Sequence, residues 1–95
     1  MNDNTAIGAM SAILRSGLSV PGDISLVGYN DIAIVSLLPT PLTTVRVPFD
    51  QIAVAALDLL ADRLAGTEPA PGTLRSAAPT LIPRQSAAPL PGRTA

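Results

Sequence analysis

An α/β fold is predicted for this 95-residue chain, and three features predict it. Helical and extended patterns alternate along the sequence. The first extended run, residues 24–29, is almost continuously apolar, as strands of buried parallel sheets are. Both long helical stretches are bounded by residues that start and stop helices.

Residues 3–16 read as a helix. Asp3 or Asn4 can cap its start, and Gly17 stands where a left-handed residue ends a helix. Its apolar residues form two stripes: Ile7, Met10 and Leu14 on one face, Ala6, Ala9 and Ile13 on another. A helix that is apolar on two sides is expected to pack on two sides. Val20-Pro21-Gly22-Asp23 is a turn by composition. Ile24 to Tyr29 then reads as a buried parallel strand, ended by Asn30-Asp31. Ile32 to Leu38 is a short apolar segment, helical or irregular, stopped by Pro39 and Pro41.

Leu42 to Val47 is rich in β-branched residues and reads as a second strand. Pro48 opens a second helix where a missing N–H costs nothing, and the helix runs to about Ala65 before Gly66. Phe49, Ile52, Ala56, Leu59 and Leu60 make its apolar face, with Asp58 and Asp62 outward. Residues 67–72 are a Pro/Gly linker. Residues 73–84 are extended but interrupted by Pro79 and Pro83, so they belong at a sheet edge or in a crossing strand. The tail, residues 87–95, carries Pro89, Pro91 and Gly92 and is expected to be disordered. The order begins with a helix that no strand precedes. A crossover helix joins two parallel strands, so something upstream is expected to be missing.

Apolar residues are 47% of the chain, but 15 of these 45 are alanine, with one Phe, one Tyr and no Trp. The core of large side chains is therefore thin. Six Arg and no Lys stand against seven acidic residues, for a net charge of −1. That balance excludes a basic nucleic-acid surface as the main function. The absence of Cys and His excludes thiol chemistry, disulfides, Cys/His zinc sites and histidine acid–base catalysis. No serine sits in a Gly-x-Ser-x-Gly elbow, and Gly22 to Gly28 is not a dinucleotide fingerprint. Asp58 and Asp62 can be read as cation ligands, though solvated helix surface explains them better. An enzyme is not expected, nor a metal or cofactor. The start has no basic, apolar signal pattern, and no apolar stretch approaches the roughly 18 residues of a spanning helix. A cytoplasmic protein without a membrane partner is expected.

One ordered series of residues goes further. It runs Asn2-Asp3, Ala6-x-Gly8-Ala9, Gly17-x-x-Val20-Pro21-x-Asp23-Ile24-Ser25-x-Val27-Gly28-Tyr29-Asn30-Asp31, Pro41-Leu42-Thr43-Thr44-Val45, and Leu81-Ile82-x-Arg84-x-Ser86. It resembles the C-terminal part of the lactose-repressor/galactose-repressor (LacI/GalR) family of bacterial transcription regulators, over residues 1–86. The resemblance implies a partial periplasmic-binding-protein-like fold, a parallel sheet with flanking helices, in which the chain crosses between two lobes. Residues 1 to about 45 would belong to one lobe, the Pro48 helix to the other, and the segment near Leu81–Arg84 would cross back. The helix-turn-helix and most of one lobe would be absent, through truncation or a mis-started reading frame. Helix faces would then be left uncovered, and stability would be marginal, since burial must outweigh roughly 1–2 kcal/mol of backbone entropy per ordered residue.

The resemblance also assigns residues. Asn2, at the mouth of the first helix, matches an effector contact; its amide can donate to and accept from a sugar hydroxyl, and helix capping is the other reading. Asn30 follows the buried strand, where ligands of open α/β sheets bind. The family carries Asp there, so Asn30 exchanges a charged acceptor for a donor, and a turn role is equally open. Phe49 matches an aromatic lining the effector cleft, with Ile52 one turn on; a core anchor is the alternative. Ile7, Ile34, Leu37 and Leu38 match subunit-interface positions, or else belong to a monomer core. Asp31 is expected to hold its loop through backbone N–H groups, and Thr43-Thr44 to serve strand and hinge.

The reading that follows is the effector-sensing part of a repressor. In the resembled family a small, sugar-like effector changes operator affinity, the regulator is a homodimer, and DNA is held by a domain outside this chain. The alternatives are a piece of a transport sugar-binding protein and a non-functional truncated product.

Overall fold

The structure, a computed structural model, describes residues 1–67 and 78–90. It divides into two units: Met1–Arg46 with Thr80–Ala95, and Val47–Pro79.

The first unit opens with helix α1, Asp3–Arg15. Its cap is Asn2, not Asp3 or Asn4: the Thr5 N–H donates to Asn2 Oδ1 at 2.9 Å. Asp3 is unavailable because its carboxylate turns inward and is fully buried. Gly17 follows the helix with φ +80°, the left-handed conformation that a residue without a Cβ adopts freely. Both expected stripes contribute to the core, each in part. Ala6 and Met10 lie in the core, with Ile7, Ala9 and Ile13 packed against it. Leu14, at the C-terminal end of the Ile7–Met10 stripe, is 48% exposed.

Residues 24–29 do not form a regular strand. They run parallel to residues 43–46 through isolated bridges at Val27–Thr43 and Asn30–Arg46. The Gly28 N–H donates to the Thr43 carbonyl and the Asn30 N–H to the Val45 carbonyl, both at 2.8 Å. The interruption has a cause. The Ser86 hydroxyl sits between the two segments, accepting from the Thr43 N–H (2.8 Å) and donating to the Leu26 carbonyl (2.6 Å). Burial is one-sided as well: Leu26 is in the core, whereas Val27 and Tyr29 are exposed. Gly28 is required. A Cβ there would come within 2.8 Å of Leu42 Cδ2 and collide with the Asp3 carboxylate.

A 3-10 turn spans Ala33–Leu37 and sends Val35 into the core beside Leu42. Strand β1 is Thr44–Arg46, shorter than expected. It pairs antiparallel with β2, Thr80–Ile82, in the register Thr44–Ile82, Val45–Leu81, Arg46–Thr80. Pro79 and Pro83 flank β2, consistent with its place at an edge. The rest of the extended prediction, residues 73–77, lies outside the described residues, as do residues 68–72 of the linker and 91–95 of the tail. Ala88 of the tail exchanges hydrogen bonds with the Ser25 hydroxyl.

The second unit holds helix α2, Phe49–Leu64. Pro48 is its cap residue, one place earlier than expected, and its carbonyl accepts from the Ile52 N–H at 3.1 Å. No residue of α2 is buried. The apolar face expected on Phe49, Ile52, Ala56, Leu59 and Leu60 is present in the helix but is not part of the core.

Candidate functional site

The loop that follows the 24–29 segment is built from charge and backbone strain. Asn30 has φ +115° and Asp31 φ +57°. Non-glycine residues in such conformations cost roughly 1–3 kcal/mol each and persist only where neighbours enforce them. Here each of three consecutive N–H groups is held. Asn30 donates to the Val45 carbonyl (2.8 Å), Asp31 to Thr44 Oγ1 (3.3 Å) and Ile32 to Asp3 Oδ2 (2.8 Å). The Thr44 hydroxyl in turn donates to Asp3 Oδ1 at 2.7 Å. The buried Asp3 carboxylate thus accepts from two sides and ties α1, the loop and β1 together.

The Asp31 side chain was expected to hold the loop through N–H groups; it takes two guanidinium groups instead. Arg46 Nε lies 2.7 Å from one carboxylate oxygen and Arg84 Nη2 2.8 Å from the other. Burial works against ionisation of Asp31. Hydrogen bonds and charge from Arg46 and Arg84 outweigh it and hold the carboxyl below its ordinary range. Arg84 is fixed in turn: its backbone N–H donates to Thr43 Oγ1 (2.9 Å) and its Nη1 to the Leu42 carbonyl (3.0 Å).

Two of the four expected effector residues meet in the first unit. The Asp3 N–H donates to the Tyr29 carbonyl at 3.1 Å, which brings Asn2 and Asn30 to the same end of the parallel segment. Asn2 is exposed and its Oδ1 serves as the helix cap; its NH2 has no partner among the described residues. The Asn30 side chain makes no hydrogen bond among them either, although its backbone is held. Phe49 and Ile52 lie on α2 in the second unit, 56% and 43% exposed, and neither is the core anchor that the alternative reading required. Of the interface candidates, Ile7 and Leu38 pack against the core of the first unit. Ile34 and Leu37 are 50% and 76% exposed.

Local pattern could not identify the roles of Arg46, Arg84 and Ser86. The Arg84-x-Ser86 ending carries the family resemblance, but nothing in its local pattern points to this bonding. Among the described residues no acidic cluster can hold a metal ion, and no helix is long and apolar enough to cross a membrane.

Known proteins share this fold. The periplasmic binding protein-like domain family matches residues 1–87. The chain is 49% identical over 67 residues to the lactose operon repressor of Rhizobium radiobacter, covering 70% of this chain and 59% of that protein. It is 40% identical over 91 residues to the transcriptional regulator MalR of Streptomyces coelicolor, covering 96% of this chain and 26% of that one. A LacI family regulator from Lactobacillus casei, solved with bound sucrose, superposes with a TM-score of 0.74 at 34% identity, covering 90% of this chain and 31% of its own. The chain therefore spans from about a quarter to three-fifths of these relatives. They are transcriptional regulators rather than enzymes. The chain belongs to the LacI/GalR family of transcriptional regulators and forms part of its periplasmic binding protein-like effector domain.

Proposed function

We propose that this chain carries part of a sugar-sensing site, through which a cytoplasmic regulator alters its grip on operator DNA. One observation carries the reading. Asn2 and Asn30 stand at the same end of a parallel β segment with their backbones held, and the Asn2 NH2 and the Asn30 side-chain amide have no partner among the described residues. Such amides match the alternating donors and acceptors of sugar hydroxyls, and the end of the strand is where α/β sheets bind ligands. A relative that binds sucrose and another named for the lactose operon point to the same ligand class. In the second unit, taken by itself, the family resemblance gives Phe49 and Ile52 the role of apolar effector contacts, and both are exposed there. Effector occupancy would act by favouring one of two states of the whole regulator. The regulator would be a homodimer, with Ile34 and Leu37 giving this chain's exposed share of the interface. DNA contact would come from a helix-turn-helix outside these residues, because a chain with net charge −1 lacks the basic surface that operator binding needs.

The test is an NMR titration of the chain with sucrose, lactose and galactose, read at the side-chain amides of Asn2 and Asn30. At least one sugar is expected to shift both amides, and Asn30→Ala to abolish the shift at Asn2. If no sugar moves either amide at concentrations of tens of millimolar, the sugar reading fails.

A further inference from the structure

We propose that Asp31 is a positioning residue for Asn30, a carboxylate clamp that fixes the direction of the effector-contacting amide. The proposal rests on the reading of Asn30 as an effector contact, but its geometric part can be tested separately. Asn30 stands at φ +115° and is followed by a second residue at positive φ. Backbone hydrogen bonds hold the N–H groups of both residues against β1. They fix where the chain passes. They do not by themselves keep two successive residues out of the extended region that L-residues prefer.

The carboxylate supplies the missing constraint. It is held from two directions, by Arg46 at the end of β1 and by Arg84 two residues beyond β2. To relax Asp31 into extended backbone would swing its side chain away from both guanidinium groups at once. The two arms are unequal. The Arg46 side chain is 59% exposed and the Arg84 side chain 15%. Water and salt weaken the Arg46 arm more, and Arg84 is anchored by two further hydrogen bonds. The Arg84 arm is the principal one.

The placement of the arms adds a consequence. Arg46 and Thr80 are the residues of the first unit at which the chain leaves for the second unit and returns from it. Asp31 therefore ties the Asn30 loop to Arg46, where the chain leaves for the second unit, and to Arg84, four residues past the return at Thr80.

The experiment is NMR on the isotopically labelled full chain. One-bond Cα–Hα couplings mark a positive φ, so they report Asn30 and Asp31 directly. The wild type is expected to show the positive-φ signature at both residues. Asp31→Asn keeps a side chain that tolerates positive φ but removes the charge. It is expected to lose the signature at Asn30 while the amide shifts of Ala6, Met10 and Leu42 in the core stay put. Arg84→Met should release Asn30 more than Arg46→Met, and the double variant fully. If Asp31→Asn keeps the wild-type couplings at Asn30, the clamp is overturned. Should Asp31→Asn fail to fold, unchanged couplings in the Arg46→Met, Arg84→Met double variant overturn it equally. Titration with sugars separates this proposal from the effector reading. If sucrose, lactose and galactose all leave the wild-type Asn2 and Asn30 amides unmoved while Asp31→Asn still releases the loop, the effector reading fails and the clamp stands. If one of them shifts the Asn30 amide equally in wild type and Asp31→Asn, the clamp does not position the contact.

Discussion

At the scale of single residues, two acidic side chains do different work. Asp3 accepts from the Ile32 N–H and the Thr44 hydroxyl inside the molecule. Asp31, its side chain only 8% exposed, accepts from two arginines, one exposed and one largely covered. The pH dependence of stability is expected to carry a contribution from Asp31. Its carboxyl is held below the ordinary range when folded, the two arginines outweighing the cost of burial. It returns to about 3.9 when unfolded. The unfolded chain then binds more protons than the folded one between those two values, so stability rises with pH through that window. The contribution is complete above about pH 4 and is lost as the pH falls through the folded pKa. Asp31→Asn should therefore lower stability at pH 7, flatten the acid limb of the stability curve, and converge with the wild type at the lowest pH. Urea denaturation at a series of pH values measures this, and parallel curves for the two proteins would refute it. Added salt should narrow the pH 7 difference, chiefly through the exposed Arg46 arm.

At the scale of elements, the helices were legible and the sheet was only half so. Gly17 and Gly66 both stop helices at φ +80°, and a proline at the second helix start is a local signal. The parallel direction of residues 26–30 could be read from an apolar run bounded by turn residues. Its interruption could not, because Ser86 comes from sixty residues away and acts through one hydroxyl. The Asn2–Asn30 juxtaposition was visible only through family resemblance. The Asp31 clamp was not visible at all, since neither arginine is near Asp31 in sequence. Pattern also overstated burial. Helical periodicity shows which face of α2 is apolar, but it does not show that anything covers it. The two kinds of apolar residue should respond differently to truncation. Leu42 is fully buried and Leu57 is 65% exposed. Leu42→Ala is expected to cost about 2–5 kcal/mol through lost burial and a residual cavity. Leu57→Ala should change stability by less than about 0.5 kcal/mol, as surface substitutions do, and it gains the best helix former. Thermal unfolding followed by circular dichroism tests the contrast. Equal losses would mean that α2 is covered in solution.

At the scale of the whole molecule, the described apolar surface is large for so short a chain. Six described apolar residues are buried, whereas Ile34, Leu37, Phe49, Val54, Leu57, Leu60 and Leu64 are all at least half exposed. Apolar patches of this kind mark surfaces that bind other protein, so self-association is expected to rise with concentration. Two surfaces compete for it, and substitution can separate them. One is the 3-10 turn, where Ile34 and Leu37 project while Ile7 and Leu38 stay packed on the core. The other is α2, which buries nothing. If the proposed family interface operates in this chain, Ile34→Asp with Leu37→Asp should shift the sedimentation profile to monomer. Both side chains are already exposed, so the unfolding midpoint should hardly change. Leu57→Asp with Leu60→Asp should then leave the association in place. The reverse pattern would assign self-association to α2 and remove Ile34 and Leu37 from the interface. The charge of the chain sharpens the choice of conditions. At a net −1, long-range repulsion between copies is weak, so association driven by apolar contact should persist at low salt and strengthen slightly as sulfate is added.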